Sequence, residues 1–133
     1  MSECIFCKIV EGTVPCHKVY ENAEVVAFLD IHPINRGHTL VVPKAHCENI
    51  FDISPKQLAT TMNIAQKVAQ ALAKYSDGVN IGINNKTAAG QVVFHFHVHV
   101  IPRFEGDGLK HWPGKRYAKD EAAKIAGEIR KLL

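Results

Sequence analysis

Short apolar runs separated by turn residues dominate the chain. Runs at 17–21, 24–30, 38–43, 79–84 and 94–101 have the length and β-branched or aromatic content of strands, and Asn22, Pro33, Gly37, Gly78 and Gly90 punctuate them. Two stretches switch to helical spacing. At 55–74, Ser54 stands as N-cap, Pro55 takes the first helical position and Gln57 completes a capping box, while Leu58, Met62, Ala65, Ala69 and Leu72 fall on one stripe for a core or subunit interface. At 119–132, Asp120 and Glu121 open a helix, Arg130 and Lys131 close it, and Ile125, Ile129 and Leu132 share a face to be buried. Gly127 weakens that helix by roughly 1 kcal/mol relative to alanine.

Strands joined by short turns, with helices inserted between and after them, predict an α+β fold. The expected architecture is an antiparallel meander sheet of about five strands with one long inserted helix and a C-terminal helix, not a βαβ nucleotide fold. No glycine loop of the P-loop or dinucleotide type is present. The 133 residues suit one domain, 1–133.

Charge narrows the partners. The formal charge is +3, but Lys and Arg are spread along the chain, so a nucleic-acid polymer is not the expected partner. "MSECIFCKIVEG" lacks the parts of a signal peptide and no run of about 18 apolar residues occurs, so a soluble cytoplasmic protein without a membrane segment is expected. Cysteines stand at 4, 7, 16 and 47. Without an export signal, Cys4-x-x-Cys7 reads as a metal or redox pair, and Cys16 and Cys47 as small buried hydrophobes.

The densest chemistry lies in "FHFHVHVIPR", residues 94–103, where His95, His97 and His99 alternate with apolar residues. On a strand these three would share a face with Cα atoms about 6.6 to 7 Å apart. A lone strand histidine is usually a hydrogen-bonded structural residue, whereas three at strict alternation suggest a metal-hydroxide centre or a nucleophilic imidazole. Cys4 and Cys7 need two more donors to close a tetrahedral zinc site, with His46 and one strand histidine as candidates, and such a closed site would stabilise rather than catalyse. His46-Cys47-Glu48 imitates the H-x-E of zinc deaminases, but the order relative to the Cys pair is reversed and Glu3 replaces the proline.

His95-Phe96-His97-Val98-His99-Val100-Ile101 satisfies every position of the histidine-triad motif, and "CIFCKIVEGTVP", "VVAFLDIHPINRGHTLVVPKAH" and "NIGINNKTAAGQ" resemble further segments of that family. The resemblance implies a purine nucleotide hydrolase or transferase, such as an adenosine phosphoramidase, that cleaves an α-phosphate ester, amide or anhydride. His97 would attack phosphorus to form a nucleotidyl-histidine, oriented by a backbone carbonyl, and His99 would donate to a phosphate oxygen. Asn84 and Gln91 match positions at the phosphate or leaving group, with loop hydrogen bonding as their competing role. Asp30 would bind ribose hydroxyls; Phe6, Phe28 and Ile31 would line the base pocket or simply pack in the core. Structural zinc would be held by Cys4, Cys7, His46 and His95, fixing His95 beside the nucleophile. The resemblance also implies a homodimer with the sheet extended across it.

His38, in "GHTL", matches a family position near the triad, while His17, His32 and His111 are expected to be surface or structural residues. Val92 replaces the hydroxyl residue that the Hint branch carries after the motif glutamine, and this leaves a nucleotide-binding or scaffold protein with incidental catalysis as the alternative. "HWPG" at 111–114 is similar to that branch's C-terminal end, although the chain continues for another 19 residues.

Overall fold

The structure, a computed structural model, describes residues 3–133. It opens with a helix absent from the expectations above, α1 (Ile5–Glu11). Cys4 caps it: its sulfur accepts from the Cys7 amide at 3.4 Å, and Gly12, at φ 84°, closes the other end in the left-handed conformation that favours glycine. Cysteine is not among the usual capping residues, which is why the start was not legible.

Strands β1 (Lys18–Glu21), β2 (Val25–Leu29) and β3 (Thr39–Pro43) form an antiparallel meander. Helix α2 (Pro55–Leu72) follows with the expected cap, Ser54 Oγ accepting from Gln57 N at 3.1 Å. Its course across the sheet carries the chain to the far edge, where β4 (Gly78–Gly82) lies, and β5 (Val98–Arg103) then returns between β3 and β4. The order is β1-β2-β3-β5-β4, every neighbour antiparallel.

Both faces of the central strands are covered. Val25, Ala27, Val41, Val98 and Val100 pack with Ile64 and Ala65 of α2, whereas Val26, Phe28, Leu40 and Val42 pack beneath Phe6 of α1. Burial on two faces is why β2 reads as an unbroken apolar run, VVAFL, rather than an alternation.

Two boundaries differ from expectation in ways that matter. β5 starts at Val98, so His95 and His97 precede the ladder and only His99 lies within it. The alternation nevertheless persists through the approach: Phe96, Val98 and Val100 all enter the α2-side core. The C-terminal helix α3 (Glu121–Leu132) forms as predicted, but no residue of it is buried, and Ile129 and Leu132 are 52% and 85% exposed. No helix among the described residues is long and apolar enough to cross a membrane.

Candidate active site

Three segments build the site on the α1 side of the sheet. The loop 30–38 joins β2 to β3, the loop 83–93 leads out of β4, and the stretch 94–99 runs into β5. Between them lies a cleft of about 460 Å³, walled by Phe6, Phe28 and Leu40 and carrying Asp30, Asn84, His97 and His99. Phe6 and Phe28 thus serve both core and cleft, meeting edge to face at 5.4 Å, while Ile31 stands 76% exposed at the rim.

Backbone carbonyls dictate the histidine tautomers, because a carbonyl oxygen only accepts. His97 Nδ1 lies 2.7 Å from the His95 carbonyl, so Nδ1 carries the proton and Nε2 keeps its lone pair. His95 Nε2 lies 2.7 Å from the Pro43 carbonyl, so its lone pair sits on Nδ1. Burial holds both rings below the usual histidine range and therefore neutral at pH 7. The two rings consequently present opposite nitrogens to different neighbourhoods.

His95 Nδ1 faces Cys4 Sγ and Cys7 Sγ, each at 3.5 Å, and His46 Nδ1 at 3.1 Å; Cys7 Sγ and His46 Nδ1 are 3.3 Å apart. All four donor atoms fall within 4.8 Å of one another. A tetrahedral zinc with bonds of about 2.0 to 2.3 Å separates its ligands by about 3.3 to 3.8 Å, close to these spacings. Two thiols and two imidazoles are also the donor set of a closed structural site. The three triad histidines do not converge on a common point, which sets aside a three-histidine metal-hydroxide centre on geometry.

His99 lies beside His97, ring centroids 4.9 Å apart, and its Nδ1 is 2.9 Å from His38 Nε2. Burial, with His97 and His38 close by, pushes His99 down to about 4. Asp30 accepts from the His32 amide at 2.8 Å through one oxygen, and its other oxygen is 3.7 Å from His38 Nε2.

Gln91 is only 4% exposed and its carboxamide is spent on the backbone: Oε1 accepts from Lys86 N at 2.8 Å, and Nε2 donates to Glu48 O at 2.6 Å and Val93 O at 3.1 Å. It clasps the 86–91 loop to Glu48 and Val93. Lys86 in that loop holds φ 71° and ψ 161°, a region almost reserved for glycine, and nothing in the sequence marked it. Val92 forms part of the cleft wall at 84% exposure. Cys16 also lines the cleft, whereas Cys47 is core, its thiol pushed up to about 11 by burial. Beyond Asn84 and His99 a second groove of about 660 Å³ runs past Ile101 to Trp112, which is 92% exposed.

This arrangement can be set against known proteins. The family model described as the HIT domain matches residues 11–106. The chain belongs to the HIT family. Its match takes in the triad and most of the cleft but not Phe6, Cys4, Cys7 or α3. Among solved HIT structures, one from Bacillus subtilis is 39% identical with a TM-score of 0.90, covering 99% of this chain and 98% of that one. A Zn-bound histidine triad family protein from Mycobacterium smegmatis is 37% identical with a TM-score of 0.79, covering 98% and 95%. Adenylylsulfatase HINT3 of Arabidopsis thaliana is 40% identical over 140 residues, covering 99% of this chain and 70% of that protein.

Proposed function

We propose that this HIT protein is a purine nucleotide hydrolase or transferase that cleaves an α-phosphate ester, amide or anhydride through a nucleotidyl-histidine on His97. The observation that carries the reading is the 2.7 Å bond from His97 Nδ1–H to the His95 carbonyl, which leaves a neutral Nε2 lone pair beside the cleft that holds Asp30 and His99. A neutral, preoriented imidazole is a competent nucleophile at pH 7. A new P–N bond forms as the P–X bond breaks, and X leaves with the electron pair and takes up a proton. Water then attacks phosphorus, the P–N bond breaks, and His97 is regenerated. His99 and Asn84 steady the phosphoryl oxygens, Asp30 receives the ribose, and Phe6, Phe28 and Ile31 border the base. The adenylylsulfatase named among the relatives breaks a bond of this class.

Cys4, Cys7, His46 and His95 would hold zinc, as their donor spacings and the Zn-bound relative support. Bound there, the metal supplies cross-linking of α1 to the catalytic segment. A homodimer extends the sheet through β4, an edge strand whose Ile81 is 46% exposed beside a groove formed with Met62, Ala69 and Val79.

The test is incubation with an adenosine phosphoramidate, followed by mass spectrometry of the quenched protein. AMP release and an adenylyl adduct on His97 are expected, with turnover falling by about a thousandfold or more in His97→Ala. Undiminished turnover in that variant sinks the reading; tight nucleotide binding with no turnover in the wild type favours a scaffold role.

A further inference from the structure

The loop 30–38 holds Asp30 at the cleft, yet much of it faces solvent, with Ile31 and Ile34 exposed at its surface. Bonds within the loop close its base: Asp30 N donates to His38 O at 2.9 Å, and His38 N donates to Asn35 O at 3.0 Å. The tip is tied outward at two neighbouring residues. Asn35 Nδ2 donates to Pro102 O at 2.9 Å and to Asp107 Oδ2 at 3.0 Å, and Tyr75 Oη donates to Arg36 O at 2.9 Å.

Beneath this loop the molecule is hollow. On the α2 side a pocket of about 390 Å³ is walled by Leu29, Gly37, Thr39, Val68, Leu72 and Tyr75. Leu29 also walls the cleft, so the chain entering Asp30 runs between two open spaces. A segment laid on a filled core is held by dispersion contacts from below. Over a hollow those contacts are forfeited on one side, and directed hydrogen bonds set the position instead.

The tyrosine reaches Arg36 only because residue 37 is glycine. Gly37 holds φ 97°, and a Cβ there would collide with the Tyr75 hydroxyl, which fills the space of the missing side chain. The other end of this strap is fixed as well. In the turn after α2, Tyr75 N donates to Leu72 O at 3.2 Å and Asp77 N to Arg103 O at 2.9 Å, while the Tyr75 ring meets Phe104 with centroids 5.9 Å apart. Asp107, which accepts from Asn35, is itself held by Arg103 Nε at 2.8 Å. Both ties of the loop tip therefore lead to residues 102–107, at the end of β5, the strand that carries His99.

We infer that Tyr75 is a positioning residue: its hydroxyl, strapped over Gly37 to the Arg36 carbonyl, holds the 30–38 loop so that Asp30 stands at a set place relative to His97 and His99. That Asp30 then receives a ribose rests on the function proposed above; the strap itself does not. Tyr75 is not among the residues that wall the cleft, so its effect passes through the loop. A ribose contact is made both before and during displacement at phosphorus. Misaligning it weakens binding without slowing the chemical step.

Tyr75→Phe removes the hydroxyl and keeps the ring against Phe104. In the ligand-free protein, hydrogen exchange should quicken about 3- to 10-fold at the Asp30 and His38 amides, with the core amides of Val41 and Val98 unchanged. Titration calorimetry with AMP should show Kd raised about 3- to 10-fold, and turnover of an adenosine phosphoramidate should show a similar rise in KM with kcat changed by less than about twofold. Gly37→Ala, which pushes the hydroxyl off Arg36, should weaken AMP binding in the same direction. Combined with Tyr75→Phe it should cost less than the two separate losses added, because both break one contact. Unchanged exchange at Asp30 and His38, an unchanged Kd, a fall in kcat with KM held, or a fully additive pair overturns the inference. Wild-type protein that neither binds AMP nor turns over the phosphoramidate defeats the function proposed above, and the exchange rates then decide the strap.

Discussion

One residue, His95, serves two neighbours at once: its carbonyl accepts the His97 Nδ1–H at 2.7 Å, while its ring turns Nδ1 to Cys4 and Cys7 at 3.5 Å. The segment that orients the proposed nucleophile is therefore the segment that zinc would anchor. Cys7→Ser should abolish zinc retention, measured by elemental analysis, and lower the melting temperature without unfolding the domain. The domain has two apolar clusters of its own, in contrast to finger peptides, where zinc contributes roughly 10 to 16 kcal/mol and is required for folding. Wild-type protein that carries no zinc, or a variant with unchanged melting, would contradict this.

Acid should destabilise the protein through its buried histidines. His99 is held at about 4 against an ordinary value of 6.5, and burial lowers His38 in the same direction. Between those values the unfolded chain binds more protons than the folded one, so stability is full above about pH 6.5 and falls as pH drops toward 4. Glu21, drawn down to about 2 by Lys18 and then Lys44, acts only below its ordinary 4.5. Urea midpoints should decline steadily from about pH 7 to about pH 4.5, and His99→Asn should flatten that decline. A midpoint independent of pH in the wild type would count against it.

Gln91 is expected to matter through the loop it clasps. In Gln91→Glu one oxygen can still accept from Lys86 N, but the other must face the carbonyls of Glu48 and Val93, where Nε2 now donates. Leaving two part-buried acceptors unpaired against a carboxylate should cost about 2 to 3 kcal/mol by chemical denaturation. A change below about 0.5 kcal/mol would mean the clasp contributes little.

Lys86 offers the opposite sign. Its φ of 71° and ψ of 161° suit glycine, so Lys86→Gly should relieve strain of about 1 kcal/mol or more and raise stability, despite the added freedom of the unfolded chain. The loss of the Lys86 ammonium from above the Phe51 ring, 5.0 Å away, subtracts only a little at this exposed site. Destabilisation by the glycine variant would show that the loop holds Lys86 without strain.

Much of this was written in the sequence because it depends on neighbours close along the chain. The Ser54 to Gln57 cap, the strand runs at 24–30 and 38–43 and the alternation from Phe96 to Val100 are all local patterns, and each appears near its expected place. The start of α1 was hidden because its cap is a sulfur, and β5 began late because ladder pairing depends on partners in β3 and β4 that no local pattern reveals. Resemblance to the family singled out His97, His99, Asn84 and four candidate zinc ligands, and the fold places the first three along one cleft and brings the donor atoms of the other four within 4.8 Å of one another.

Tertiary structure alone decided which nitrogen of each histidine faces what. Three histidines at alternate positions are equivalent in sequence; they differ because Pro43 O meets one ring, His95 O another and His38 the third. It also decided that Gln91 turns inward, that the Ile34 amide meets the His38 ring, and that the apolar stripe of α3 finds no cover among the described residues. The physical reason is the same throughout. Periodicity reports which side of an element is apolar, whereas hydrogen-bond direction depends on which donors and acceptors the fold brings together, here from 2 to 67 residues apart.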